Sequence, residues 1–188
     1  MLFRSIDFGQ NMAGIIRFVN RLPRGKQMRI QTGEVLQNGN FYRDNLRTAK
    51  SEFIYTSDGA VKEVEPMFTF FGFRYAKIEG IERADPEDFT AVCLSSDLKE
   101  TLQAETSHAK LNRLMQNSLW GQRSNFLDVP TDCPQRDERL GWTADTQVFV
   151  NTACYQMDCR DFLPQIFGIC GRTSRCITTA TSRPTARR

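Results

Sequence analysis

Thr106-Ser107-His108-Ala109-Lys110-Leu111-Asn112-Arg113-Leu114-Met115-Gln116-Asn117-Ser118-Leu119 is the stretch at which this chain changes character. Leu111, Leu114, Met115 and Leu119 recur at the spacing that lines side chains along one side of an α-helix. Thr106 or Ser107 offers a hydroxyl to cap the first turn. The helix should end before Asn125 to Pro134, where two prolines and several short polar residues require a loop. A second helix is expected from about Ala144 through Asp161, with Val148, Phe149, Thr152 and Tyr155 on one side.

Upstream of this stretch the signals are those of strands. Ile15 to Val19, Met28 to Gln31, Phe53 to Thr56, Met67 to Phe71, Tyr75 to Ile81 and Phe89 to Cys93 are short and rich in β-branched and aromatic residues. Turn signals separate them at Leu22-Pro23-Arg24-Gly25, Gln37-Asn38-Gly39-Asn40 and Ser57-Asp58-Gly59, at a spacing that fits an antiparallel sandwich better than βαβ units. The fold class is therefore mixed α and β, segregated: an antiparallel β-sandwich over residues 1–95, then helices over 96–163. Residues 164–188 have no sustained apolar periodicity and are expected to be disordered.

Composition narrows the partners. With 188 residues and 40% hydrophobic content the chain can bury a core. No run of about eighteen apolar residues occurs, and the start lacks the basic stretch and apolar block of a signal peptide, so no membrane partner is expected. The formal charge of +3 comes from the tail after Asp161, which holds five arginines and no acid; without it the body is slightly acidic. A nucleic-acid partner would rest on that tail alone, and the tail lacks interleaved aromatics. Six cysteines without a CxxC pair and a single histidine, His108, argue against zinc. They read as reduced thiols, which places the protein in the cytoplasm. One histidine beside a helix cap gives no support to a serine-histidine nucleophile.

The densest chemistry is Asp132-Cys133-Pro134-Gln135-Arg136-Asp137-Glu138-Arg139-Leu140-Gly141-Trp142-Thr143-Ala144-Asp145. Carboxylates accept hydrogen bonds from sugar hydroxyls, arginine donates to ring substituents, and an aromatic face covers the apolar side of a pyranose. Protonating a departing glycosidic oxygen needs a carboxylic acid, and burial or crowding with like charge favours that form. On residue types alone such a run is equally a solvated face with ordinary ion pairs, and Trp142 within it equally a core residue.

The stretch Val129 to Trp142 closely resembles the signature of bacterial α-L-rhamnosidases of glycoside hydrolase family seventy-eight. Asp7-Phe8-Gly9-Gln10-Asn11, Glu34-Val35-Leu36, Asn45-Leu46-Arg47, Gly72-Phe73-Arg74-Tyr75 and Trp120-Gly121-Gln122 are similar to the same family in the same order, so that the resemblance covers roughly residues 6 to 162. It implies a concanavalin-like β-sandwich module followed by the first helices of an (α/α)6 toroid. It also implies inverting hydrolysis of terminal α-L-rhamnosyl groups, with a rhamnose-containing oligosaccharide or glycoside as partner and no redox cofactor; no cofactor is expected, and no metal-ligating residue is assigned. By motif position Glu138 would be the general acid, Asp132, Arg136 and Asp145 would hold rhamnose hydroxyls, and Trp142 would line the pocket. The family's second carboxylate, which activates water about 6.5 to 9.5 Å from the acid, lies far downstream and has no match here. The chain alone is thus expected to be an internal piece that hydrolyses negligibly; carbohydrate binding without catalysis is the alternative. Two departures stand out: Ala144 where the family usually has glycine, and Phe71 where a histidine often precedes Gly-Phe-Arg-Tyr. From Pro164 the composition departs altogether, and codons compatible with Ile166 to Pro184 can be read in another frame as an acidic continuation, so a frameshift would account for it.

Overall fold

The computed structural model describes residues 4–82, 84–166 and 168. Strands β1 (Arg4–Asn20), β2 (Gln27–Gly33), β3 (Val35–Gln37), β4 (Asn40–Tyr42), β5 (Glu52–Thr56), β6 (Lys62–Val64), β7 (Phe71–Glu79) and β8 (Phe89–Cys93) come first. Helix α1 (Ala109–Asn125), the small strands β9 (Phe126–Leu127) and β10 (Val129–Pro130), and helix α2 (Thr143–Gln156) follow. The order β5-β2-β7-β1-β6, with β8 also paired to β1, makes a six-stranded sheet whose pairings are all antiparallel. Hairpin β3–β4 turns at Asn38-Gly39, both at positive φ, as that dipeptide favours. The result is a sheet-rich, sandwich-like half followed by helices, as the change of periodicity at Thr106 predicts.

Alternation of side chains builds the first core. Phe18 on β1, Ile30 on β2, and Phe73 and Ile78 on β7 are each no more than 2% exposed. Phe18 is ringed by aromatics, edge-on to Tyr55 at 5.4 Å and stacked with Phe89 at 6.1 Å. Phe71, the departure from the family pattern, is buried in this same cluster. A second core forms where the helices meet: Phe126 stacks on Phe162 at 4.7 Å, with Ala153, Met157 and Cys159 closed around them. Ala13 N–H on β1 donates to Ser124 Oγ on α1 at 3.2 Å in a buried contact, which ties the two halves together.

Three expected boundaries move. Met67 to Phe70 lies outside any strand, because Phe68 adopts φ +59° and leaves Met67 and Phe68 exposed; β7 starts at Phe71. Neither Thr106 nor Ser107 caps α1. His108 takes the cap position in extended conformation, and Thr106 instead exchanges hydrogen bonds with Asn112, donating from its N–H and accepting from Asn112 Nδ2 at its carbonyl. Helix α2 stops at Gln156, five residues before the expected end, because Met157 extends to bridge Glu100 while Thr101 N–H reaches Gln156 O at 3.0 Å. Ala144 sits inside α2 outside the positive-φ region, so the added methyl imposes no backbone strain. The expectation of disorder or a shifted frame for 164–188 lies almost wholly outside the described residues.

Leu119 and Phe149 pack partly buried against the second core, but several of the residues that reveal the helices are not buried. Leu111, Leu114, Val148 and Tyr155 are all exposed, Val148 at 85%, whereas α1 buries Gln122 and Ser124. Gln122 is fully covered and donates to Ala153 O at 3.2 Å, joining α1 to α2 through a polar bond.

Gly72 is the tightest contact between the sheet and the loop after β10. A Cβ there would sit 2.8 Å from Gln135 N and from the Pro134 carbonyl carbon, both backbone atoms that cannot swing aside. Gly72→Ala should therefore cost about 1–3 kcal/mol, with the amides of Gln135 and Arg136 exchanging faster; calorimetry and hydrogen exchange check both, and unchanged exchange would refute the contact.

Candidate active site

Residues 133–140 adopt neither helix nor strand, yet they are closely held. The loop is closed at its base: Asp132 N–H donates to Leu140 O at 3.2 Å, and Leu140 N–H returns a bond to Asp132 Oδ1 at 3.0 Å. Inside it Arg139 adopts φ +43° and donates through Nε to Arg136 O at 3.0 Å. Such a φ is costly for a residue with a Cβ and persists where the surroundings enforce it. Here the enforcement comes from the sheet half, since the Arg139 guanidinium lies 4.1 Å over the Phe70 ring.

Within this loop four of the five anticipated residues form one network. Arg136 Nη2 lies 3.3 Å from both Asp132 Oδ2 and Glu138 Oε2, and its Nε donates to Cys133 Sγ at 3.2 Å. Trp142 Nε1–H donates to Glu138 Oε1 at 3.2 Å. Arg47, from the loop after β4, approaches Glu138 Oε2 at 3.5 Å. Both oxygens of Glu138 are thus directed, while its side chain stays 31% exposed and Trp142 48%. Asp145 sits apart, exposed in the first turn of α2, where it shares with Asp132 the wall of a cleft of about 600 Å³ between α1 and α2 but joins none of these bonds.

The electrostatics differ in detail from simple crowding of acids. Donor atoms of Asp132, Cys133 and Glu138 do lie within 4.8 Å of one another. Arg136 reaches all three, however, so the positive charge at this triad is a guanidinium. Burial acts to raise the Asp132 carboxyl, but hydrogen bonds from the Cys133 thiol and the Leu140 N–H, with the charge of Arg136, carry it below the ordinary carboxylate range. Asp132 is thereby kept as an acceptor-only group, suited to hydroxyl donors.

Support from the sheet half was not anticipated as part of the site. Thr48 Oγ1 donates to Asp137 Oδ2 at 2.5 Å, and Gly72 lets the loop backbone lie against β7. Glu34 accepts from Asn11 Nδ2 at 3.0 Å and Asn45 Nδ2 at 3.2 Å, with burial pushing its carboxyl above the ordinary range against the Asn11 bond and the charge of Arg136. Asn11 reaches it because Phe8–Asn11 form a bulge opposite Arg74, with Gly9 at φ +81°. All these residues except Thr48 and Phe70 stand in segments whose resemblance was visible; spacing gave no sign that they meet the loop.

The comparisons with known proteins agree along the chain. Residues 5–95 match the bacterial α-L-rhamnosidase concanavalin-like domain, and residues 99–176 match the bacterial α-L-rhamnosidase six-hairpin glycosidase domain. This chain belongs to the bacterial α-L-rhamnosidase family. An α-L-rhamnosidase of Streptomyces avermitilis is 43% identical over 161 residues, 84% of this chain, and one from Alteromonas sp. is 40% identical over 83% of it. The chain spans 16% and 17% of the length of those two relatives. Among solved structures, the Streptomyces avermitilis enzyme complexed with L-rhamnose superposes with TM-score 0.83 at 41% identity, covering 86% of this chain and 16% of that one. The native Aspergillus terreus α-L-rhamnosidase superposes with TM-score 0.81, also at 41% identity, covering 85% and 19%.

Glu34 gives this rhamnosidase-family site a pH signature. Burial lifts its carboxyl, so the folded chain holds a proton that the unfolded chain has released. Stability from this group is full below about pH 4.3, the ordinary glutamate value, and is lost as pH rises through the lifted one. The melting midpoint of Glu34→Gln should therefore gain on that of the native chain as pH rises from 4 toward 7. A difference that stays flat or shrinks in paired thermal melts would contradict this.

Proposed function

We propose that this chain forms the acid side of an inverting α-L-rhamnosidase centre. Glu138 delivers the proton to the departing glycosidic oxygen, with its two oxygens oriented by Trp142 and by Arg47 and Arg136. Asp132, Arg136 and Asp145 hold hydroxyls of a terminal α-L-rhamnosyl residue, and the half-exposed Trp142 covers its apolar face. The carboxylate that activates water belongs to sequence outside the signature segment, so the reaction needs groups that these residues do not supply. The observation carrying this reading is the convergence of Asp132, Arg136, Glu138 and Trp142 in one bonded network beside an open cleft. No redox step is involved, since glycoside hydrolysis leaves oxidation states unchanged. Free thiols at Cys133 and Cys159, both buried, support a reducing compartment such as the cytoplasm.

Titration of the 188-residue chain with L-rhamnose, followed by tryptophan fluorescence, tests the reading. Binding should be saturable, lost as a signal in Trp142→Phe, and weakened about tenfold or more by Asp132→Ala, the cost of one hydrogen bond to a charged group. Incubation with 4-nitrophenyl α-L-rhamnoside should release no nitrophenol above background. Absence of rhamnose binding would defeat the proposal, and turnover would show that the chain supplies its own base.

A further inference from the structure

Arg47 occupies a place that stability alone does not explain. Its backbone sits at φ +56°, ψ −117°, a strained conformation that residues with a Cβ rarely adopt. Its side chain is 65% exposed, and an exposed ion pair offsets little of that strain. The surrounding structure nonetheless enforces it. Leu46 before it is 1% exposed, Asn45 is bonded to the half-buried Glu34, and Thr48 after it is bonded to Asp137. The 3₁₀ turn Asp44–Leu46 and the two residues that follow are thus anchored on the sheet side by Glu34 and on the loop side by Asp137.

We propose that this turn is a positioning element for Glu138, with Arg47 as a positioning residue that fixes the direction of its carboxylate. Glu138 is faced by Arg47 and Arg136 at Oε2, by the Trp142 indole at Oε1, and by Asp132 and Cys133 within 4.8 Å. Arg136 cannot set that direction alone, because the same Nη2 also serves Asp132 Oδ2. Arg47 serves Glu138 from a separate element, and its grip keeps Oε1 turned to the indole N–H. The sheet half thereby orients a group on the loop of the helical half. This inference rests on Glu138 as the acid, but its test uses no sugar and therefore succeeds or fails apart from rhamnose binding.

The probe is the Trp142 indole Nε1–H resonance of the ¹⁵N-labelled chain, assigned by Trp142→Phe and measured at one pH and ionic strength. Glu138→Ala gives its position without the acceptor. Arg47→Ala should move the resonance most of the way to that position while the Trp120 indole resonance and the melting midpoint stay put. Arg47→Lys, which keeps the charge, should restore most of the shift. An unmoved Trp142 resonance in Arg47→Ala would overturn the proposal, as would failure of lysine to restore it. A change that also carries Trp120 and the melting midpoint would do the same, since Arg47 would then act through folding.

Discussion

Residues 133–140 have no ladder or helix of their own, so their shape depends on what they lean against. They lean against the sheet half at four points: Phe70 under Arg139, Gly72 under Pro134 and Gln135, Thr48 on Asp137, and Arg47 on Glu138. The packing at Gly72 is the constraint from which the others follow. With no Cβ there, the loop backbone comes down onto β7, which brings Arg139 within reach of Phe70 and the acidic residues within reach of the turn at 44–48. The loop is also closed between Asp132 and Leu140, so its contacts add to one rigid shape.

This arrangement explains how a sheet that precedes the helices helps to shape the candidate site on the loop of the helical half. The sheet is a platform with two layers of support. Its apolar face, around Phe18, Ile30 and Phe73, supplies rigidity through burial. Its polar features aim side chains at the loop: the Phe8–Asn11 bulge sends Asn11 to Glu34, and Glu34 holds the Asn45 turn. The strained φ values at Arg47 and Arg139 lie on either side of this junction, where packing from both halves can hold them.

Much of the architecture was legible because it depends on local periodicity. Alternating apolar residues in Met28 to Gln31 and the aromatic and β-branched composition of Phe89 to Cys93 mark strands whether or not their partners are known, and Leu111 to Leu119 mark a helix by its own spacing. What failed was set by neighbours. Met67 to Phe70 has strand composition but forms a kink whose Phe70 serves the loop, and Thr106 has a capping side chain but spends it on Asn112. Gln156 ends its helix because a bridge to Glu100 claims Met157. Lys62 to Val64 forms a strand with almost no apolar signal, because β1 supplies the ladder.

For the site, the sequence by itself determined the inventory: Asp132, Arg136, Glu138, Trp142 and Asp145 lie in one short segment with the residue types of sugar chemistry, and the family resemblance assigns their order. Four of them share contacts for the simple reason that loop closure over a few residues is cheap. The tertiary structure alone decided that Arg47, Thr48 and Gly72, some sixty to ninety residues away in sequence, meet that segment. No periodicity encodes such a meeting, because it is made by two surfaces distant in sequence whose shapes and charges match only once both exist.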